Sequence, residues 1–231
     1  MRTFILLLFC LVLKGAAPVL AQSYDQQKVQ LQFFNHYGKA YSRGSLAENV
    51  IGSQFLNDEW QSMEIKFKDT LLSFEAVKVN LLNSNLEVLY QGEEKMIANS
   101  FFEYVEIAKN GTKQRLKPAS TMAYDGKTLT GFVEILGEGK TRVVVQHYIM
   151  IREPHNQAHI TGGFTANRLI KERNIYLLDQ ERLVLIRRKK DLEDLFKRQS
   201  SALDSYFKTQ APDLQDPQQL LRLVEAMNSR V

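Results

Sequence analysis

The chain has 231 residues, with 30 Lys and Arg against 26 Asp and Glu, a formal net charge of +4 and one cysteine. This near balance excludes the broad basic field by which a protein holds nucleic acid or an anionic lipid surface. The one thiol, Cys10, falls in the leader described next. The mature chain therefore has no disulfide, no thiolate nucleophile and no cysteine-ligated zinc or iron–sulfur site.

Residues 1–21 read as a signal peptide. Arg2 is the basic n-region, "FILLLFCLVL" (Phe4 to Leu13) the apolar h-region, and Val19 and Ala21 the small residues that signal peptidase takes at −3 and −1. Ten apolar residues extend only ~15 Å as a helix, about half a bilayer core, so a retained anchor is disfavoured. Export of a cysteine-free chain suits a bacterial envelope, which places the protein in the periplasm or at the surface of a Gram-negative cell. Residues 22–50 are a polar N-terminal segment whose aromatic cluster, "QFFNHYGKAY", fits a short strand, a short helix or an ordered tail.

Residues 51–188 carry the signature of an antiparallel β domain. Short runs rich in Val, Phe and Tyr ("EIKFK", "LLSFEAVKVNLL", "LEVLY", "KMIAN", "FFEYVEIA") alternate with the turn signals "NSN", "QGEE" and "KNGT". In "FEAVKVNLL", Val77, Val79 and Leu81 share a face, and Glu75 intrudes at its end. "KTLTGFVEIL" and "KTRVVVQHYIMIR" flank "GEG" (Gly137 to Gly139) as a hairpin. In its second arm Val143, Val145, His147, Ile149 and Ile151 point one way, and Arg142, Val144, Gln146, Tyr148, Met150 and Arg152 the other. That pattern predicts a sheet covered on one side. "NIYLLD" and "RLVLIRR" around Gln180–Glu181 form the last hairpin.

Beyond Lys190 the period becomes helical. "DLEDLFKRQSSALDSYFK" reads as one amphipathic helix, followed after Pro212 by a second that starts at Asp216 (N-cap), Pro217 (N1) and Gln219 (N3). Residues 189–231 are thus predicted to form a helical pair packed on the β domain, since helices this short are marginal alone. The fold class is α+β, mainly β: an antiparallel meander sheet or partly closed barrel followed by a C-terminal two-helix hairpin.

"GSQFLNDEW" (Gly52 to Trp60), then a run of strands, then "GFVEILGEGKTRVVV", "KKDLEDLF" and "LLRLVEAMNS", follow in an order similar to a family of uncharacterised exported proteins of Bacteroidetes bacteria. Members read G-S-x-(Y/F)-L-N-(D/E)-(E/D)-(F/W), a β-rich middle, an L-x-E-G-K turn, and a helical pair ending near N-S. The resemblance runs from Gly52 onward and implies an exported compartment and this architecture, with no activity attached. Gln54 departs from it, standing where members often carry proline.

The candidate sites are few. His155 and His159 have the spacing of zinc ligands on a helix, but Pro154 before them and "TGG" (Thr161 to Gly163) after them favour a loop, and no third ligand is suggested. His147, on an apolar strand, reads as a core imidazole before it reads as a base. Gly162–Gly163 lacks the rest of any phosphate loop, and no serine lies in G-x-S-x-G. The acidic pairs Asp58–Glu59, Glu93–Glu94 and Asp191/Asp194 suit turns and helix starts. Arg187, Arg188, Lys189 and Lys190 form the densest charge run, a candidate contact for an acidic partner or lipid headgroups, partly neutralised by Asp191, Glu193 and Asp194. Asn110 heads an N-x-T sequon, and the resemblance implies an O-glycosylation site of the form D-(S/T)-hydrophobic at Thr70.

No catalytic residue, resident cofactor or metal is assigned. The leading expectation is an exported, non-catalytic binding or structural module of the cell envelope, its partner a protein, a glycan or a lipid, with no transmembrane segment in the mature chain. The alternatives are a carrier holding a lipid or other apolar ligand in a curved sheet, and a hydrolase in which His147 meets two acids.

Overall fold

A computed structural model describes residues 39–40, 50–109, 111–153 and 166–229. Residues 1–21, read above as a leader, and most of the segment before Val50 lie outside them. The first strands are β1 (Lys39–Ala40), β2 (Val50–Ile51), β3 (Gln61–Lys66), β4 (Leu71–Asn80), β5 (Asn85–Tyr90), β6 (Glu93–Ile97), β7 (Tyr104–Lys109) and β8 (Thr112–Pro118). They are followed by β9 (Ala123–Tyr124), β10 (Lys127–Thr128), β11 (Phe132–Leu136), β12 (Thr141–Arg152), β13 (Asn167–Asp179) and β14 (Arg182–Leu185). One open sheet runs in the order β1-β6-β5-β4-β3-β7-β8-β11-β12-β13-β14, and β9 and β10 form a separate hairpin.

Two features differ from the all-antiparallel expectation. First, the sheet is mixed, because β2 lies parallel to β13 at Asn167–Arg168. β14 covers only Tyr176–Asp179 of that edge, so β2 caps backbone groups that would otherwise stand open. Gly52 follows at φ +112°, where a Cβ would meet the Leu169 carbonyl oxygen at 2.5 Å; no side chain fits there. Second, the predicted arm "KTLTGFVEIL" is broken. Gly131, at φ +77°, ends β10's excursion, and a Cβ on it would lie 2.0 Å from the His147 carbonyl oxygen. The strand proper starts only at Phe132.

Glu75 does not intrude on the apolar face. The register jumps between Gln61↔Val77 and Met63↔Phe74, a β-bulge that turns Glu75 out to solvent and returns Phe74 and Val77 to the same side. From there one apolar face continues across the ladders, through Leu86, Val77, Met63, Ile65, Val105, Leu116 and Phe132. The sheet curls enough that the Ser84 hydroxyl, at the β4–β5 turn, accepts from the Gly131 N–H at 2.8 Å.

The same face ends under three helices, α1 (Lys189–Leu195), α2 (Ser200–Gln210) and α3 (Pro217–Asn228). The predicted single helix is split by a 3₁₀ turn at Lys197–Gln199. Lys189 shows why. It pairs with Asp204 and lies 5.3 Å from the Phe207 ring, yet residues 189 and 204 would be ~22 Å apart on a continuous helix. The turn brings α1 back against α2, and Ser200 and Ser201, weak helix formers, stand at the break. α2 closes on Ala211 in the left-handed conformation, whose N–H donates to the Phe207 carbonyl at 3.1 Å.

α3 starts as its sequence dictates. Asp216 accepts from the N–H groups of Gln218 (2.8 Å) and Gln219 (3.4 Å), with Pro217 at N1. Gln219 turns its oxygen to the Asp213 N–H at 2.9 Å and its amide to Asp216 at 3.0 Å. Leu220, Leu223, Val224 and Met227 are buried with Val143, Val145, Ile175 and Leu177 in the second core cluster. Each such side chain contributes roughly 1.5–3 kcal/mol on burial. The concave face is thereby filled with the chain's own side chains.

The far end of α3 holds the "GEG" turn. The Asn228 side-chain amide donates to the carbonyls of Glu138 (3.2 Å) and Thr141 (2.8 Å), and its Nδ2 lies 3.0 Å from where a Cβ on Gly139 would stand. Asn228→Ala removes both bonds and should lower stability by about 1–3 kcal/mol, read as a reduced urea midpoint with an unchanged slope.

On the outer face, Glu64 and Glu106 stand directly opposite each other across β3 and β7. Lys113 bridges the two, and Arg115 holds Glu106 at 2.6 Å while lying over the Tyr104 ring at 4.3 Å. Hydrogen bonding from Arg115, aided by Lys113 and opposed by burial, holds the Glu106 carboxyl below its ordinary range. A depressed carboxyl contributes stability above the unfolded value of about 4.3 and loses it as pH falls through the folded value. In thermal melts the advantage of the wild type over Glu106→Gln should therefore be full at pH 7 and shrink steadily below about pH 4.

Candidate binding cleft

The outer face of β11–β14 is not bare, contrary to the expectation of a sheet covered on one side. Between β8 and β11 the chain leaves the sheet through a 3₁₀ turn at Ala119–Thr121 and returns as the β9–β10 hairpin. Asp125 (φ +51°) and Gly126 (φ +72°) are both left-handed, the geometry of a two-residue Asp-Gly turn. The hairpin lies over β12–β14 and closes a third apolar cluster, in which Ala119, Leu129 and Val133 meet Val144, Tyr176, Leu178 and Leu183. The Tyr124 ring packs on Tyr176 at 5.2 Å between centroids and 58° between planes.

Beside this cluster the hairpin leaves a cleft of about 320 Å³, lined by Tyr124, Asp125, Lys127 to Thr130, Gln146, Tyr148, Asn174 and Tyr176. Its floor follows from register. Val144 is opposite Tyr176, Gln146 opposite Asn174 and Tyr148 opposite Glu172, so all six project from the face away from the helices. Gln146 is buried, 4% exposed, and bonded at both ends of its amide. Its amide donates to the Thr130 carbonyl at 2.9 Å, and its oxygen accepts from the Tyr176 hydroxyl at 3.0 Å and the Asn174 amide at 3.3 Å. The Asn174 amide also reaches the Tyr176 oxygen at 3.3 Å.

Burial raises the Tyr176 hydroxyl above its usual range, opposed by the hydrogen bond from Asn174 and by Arg187. Tyr176 therefore stays protonated near neutral pH and serves as a donor to Gln146, not as a base. With its amide nitrogen committed inward, Asn174 presents its oxygen to the open side, and Tyr124 and Tyr148 flank it with aromatic surface. Two further hollows adjoin: one of about 480 Å³ reaching Glu181 and Arg182, and one of about 250 Å³ reaching Asp191 and Asp194 of α1. Tyr124 lines all three.

The residues singled out in the sequence lie elsewhere. His155, His159, Gly162, Gly163 and Asn110 are outside the described residues. His147 is on the opposite face from the cleft, opposite Phe132 and Arg173 in the ladders. Thr70 is exposed in the β3–β4 turn, where its carbonyl accepts from the Phe67 N–H at 2.8 Å. The basic run is not one free patch. Lys189 is engaged with Asp204, Glu193 and Phe207, and Arg188 lies 3.6 Å from Asp191, while Arg187 and Lys190 are exposed. Asp191 accepts from the N–H groups of Arg187 (2.9 Å) and Arg188 (3.0 Å), which holds its carboxyl low and makes it a helix-capping residue. Among the described residues no three His, Cys, Asp or Glu side chains group as a metal ion requires, and no helix is long and apolar enough to cross a membrane.

The cleft residues themselves escaped sequence reading. One signal for them was available: Asp125–Gly126 in "AYDGKT" is the strongest kind of short hairpin turn. Comparison with known protein families, curated proteins and solved structures returns no match.

The Gln146 network yields a graded expectation. Tyr176→Phe keeps the ring against Tyr124 and removes one donor, costing about 1 kcal/mol, whereas Gln146→Leu strands the Thr130 carbonyl and the Tyr176 hydroxyl together and should cost more, in the range of about 2–4 kcal/mol. Equilibrium urea unfolding of the two variants checks the order.

Proposed function

We propose that this chain is an exported, non-catalytic binding module of a Gram-negative cell envelope, and that it binds through the cleft under the β9–β10 hairpin. The observation that carries the reading is the orientation of Gln146, Asn174 and Tyr176. Three polar side chains are locked to one another on the outward face of the two longest strands, and they present an open acceptor between two tyrosines. Such a constellation fixes the orientation of a polar ligand; it contains neither an activated nucleophile nor a paired base.

The leader at residues 1–21, the cysteine-free mature chain and the similarity of Gly52–Trp60 and the "LGEGK" turn to Bacteroidetes exported proteins support the compartment. Asn228, in the "NS" of the C-terminal motif, holds the "GEG" turn, so two stretches that carry the resemblance meet in space. From β3 to β14 we read the strand order as an antiparallel meander switched once at β3–β7, with β9–β10 as an excursion and with β1 and β2 added at β6 and β13. The filled concave face favours outer-face binding over a lipid carrier.

The full chain, expressed in its native host, should appear without its leader in the periplasmic or surface fraction and should sediment with washed envelope fragments. The Tyr148→Ala/Asn174→Ala double variant, checked for a native circular dichroism spectrum, should be left in the supernatant. Retention of the wild type in the cytoplasm, or equal sedimentation of the variant, would reject the proposal.

A further inference from the structure

We infer that the ligand of this cleft is a neutral saccharide, a pyranose unit of a free or polymeric glycan; this rests on the cleft being the binding surface. Three observations converge on that chemistry. First, the open faces are aromatic. Tyr124 and Tyr148 offer rings that carry apolar body and hydroxyl together, the pairing that suits a sugar with an apolar C–H face and a polar rim.

Second, the hydrogen-bonding groups that face the open side are neutral and of both kinds. The Asn174 oxygen is an acceptor with no protein donor among the described residues, and the hydroxyls of Tyr148, Thr128 and Thr130 line the same cleft. A sugar hydroxyl can donate to the fixed Asn174 oxygen, and it can accept from or donate to a protein hydroxyl, which rotates to suit. Gln146 contributes nothing directly to such a ligand. It acts as a positioning residue, since its two ends are consumed by Thr130, Tyr176 and Asn174 and hold the Asn174 amide in one orientation.

Third, the charges in the cleft cancel. Asp125 and Lys127 flank the same hairpin turn, and no arginine lines it. A phosphate or carboxylate ligand calls for a guanidinium fork or a cluster of cations, and an ammonium ligand for an acidic cage. Neither is built here. The cleft is open and shallow, and its volume of about 320 Å³ lies at the small end of ligand sites, matching one or two sugar rings better than an extended peptide.

The test is isothermal titration calorimetry of the full mature chain. The probes are glucose, galactose, mannose and N-acetylglucosamine, their β-linked and α-linked trisaccharides, and galacturonic acid trisaccharide as the charged control. At least one neutral probe should bind, and both Tyr148→Ala and Asn174→Ala should weaken it tenfold or more. A trisaccharide binding at least tenfold more tightly than its monosaccharide would mark a polymer as the natural source, and equal affinities a free sugar. If no neutral probe binds while the wild type still sediments with envelope fragments and the double variant does not, the saccharide assignment is wrong and the binding-module reading stands. If neither binding is seen, both are wrong. Binding of the charged control alone, or neutral binding untouched by the two variants, would likewise overturn the inference.

Discussion

The register of β12 against β13 is the constraint on which the molecule depends. Twelve consecutive pairs, from Thr141↔Asp179 to Arg152↔Arg168, assign every side chain of both strands to one of two faces. Val143, Val145, Ile175 and Leu177 go to the helices; Val144, Gln146, Asn174 and Tyr176 go to the hairpin. A slip of one residue would exchange the two sets, burying a glutamine and an asparagine under α3 and turning valines into the cleft. No such alternative satisfies both layers, so the core and the cleft specify one register together.

Several local devices protect that register. Asn228 holds the turn that enters β12, and the Thr141 hydroxyl meets the Asp179 carboxylate at 3.3 Å at the first pair. Gly131 matters at the other side of the strand. Its bare Cα permits the chain to pass against the His147 carbonyl, and its positive φ ends the excursion that carries the hairpin. The hairpin is thus tethered to the strand whose side chains it covers, through Gly131 at its exit and through Tyr124 on Tyr176. On the other half of the sheet, the bulge at Glu75–Ala76 plays the corresponding part by restoring an apolar face that strict alternation would have broken.

Sequence reading recovered what has a strong local signal. Short runs of strand-forming residues and period-2 alternation found strands from Glu64 onward but not β8 or β9, Asp216-Pro217 found the start of α3, and the switch of period found helices near the C-terminus. It failed where non-local contacts decide. The apolar spacing of Leu192, Phe196 and Leu203 fits one unbroken helix; folding it back lets all three bury against α3 and the sheet, and Lys189 meets Asp204 across the break, contacts invisible in a linear pattern. Glu75 looked like a flaw because a bulge changes the period without changing the residue types. The short strand β2 could not be read from two residues, since its place is set by the edge that β14 leaves uncovered. The cleft was missed for a related reason. Gln146 and Asn174 are 28 positions apart, and their polarity reads as an ordinary solvated face until the hairpin is laid over them.

That arrangement also explains why polar side chains are so deeply buried at a surface cleft. A ligand site on a loop would have to order its own backbone on binding, at a cost of roughly 1–2 kcal/mol per residue fixed. Here the floor of the site is the reverse side of the core: the backbone that aims Gln146 and Asn174 outward is the same backbone that seats Val145 and Ile175 against α3. Its dihedrals are already fixed by packing, so binding of the proposed ligand would leave only Tyr124, Tyr148 and the hydroxyl rotors to order. A buried amide network bonded at both ends is costly to assemble and stiff once made. Placed behind the cleft, that stiffness is passed to the Asn174 oxygen, and in the proposed function the core beneath would set the discrimination of the site more than the hairpin above.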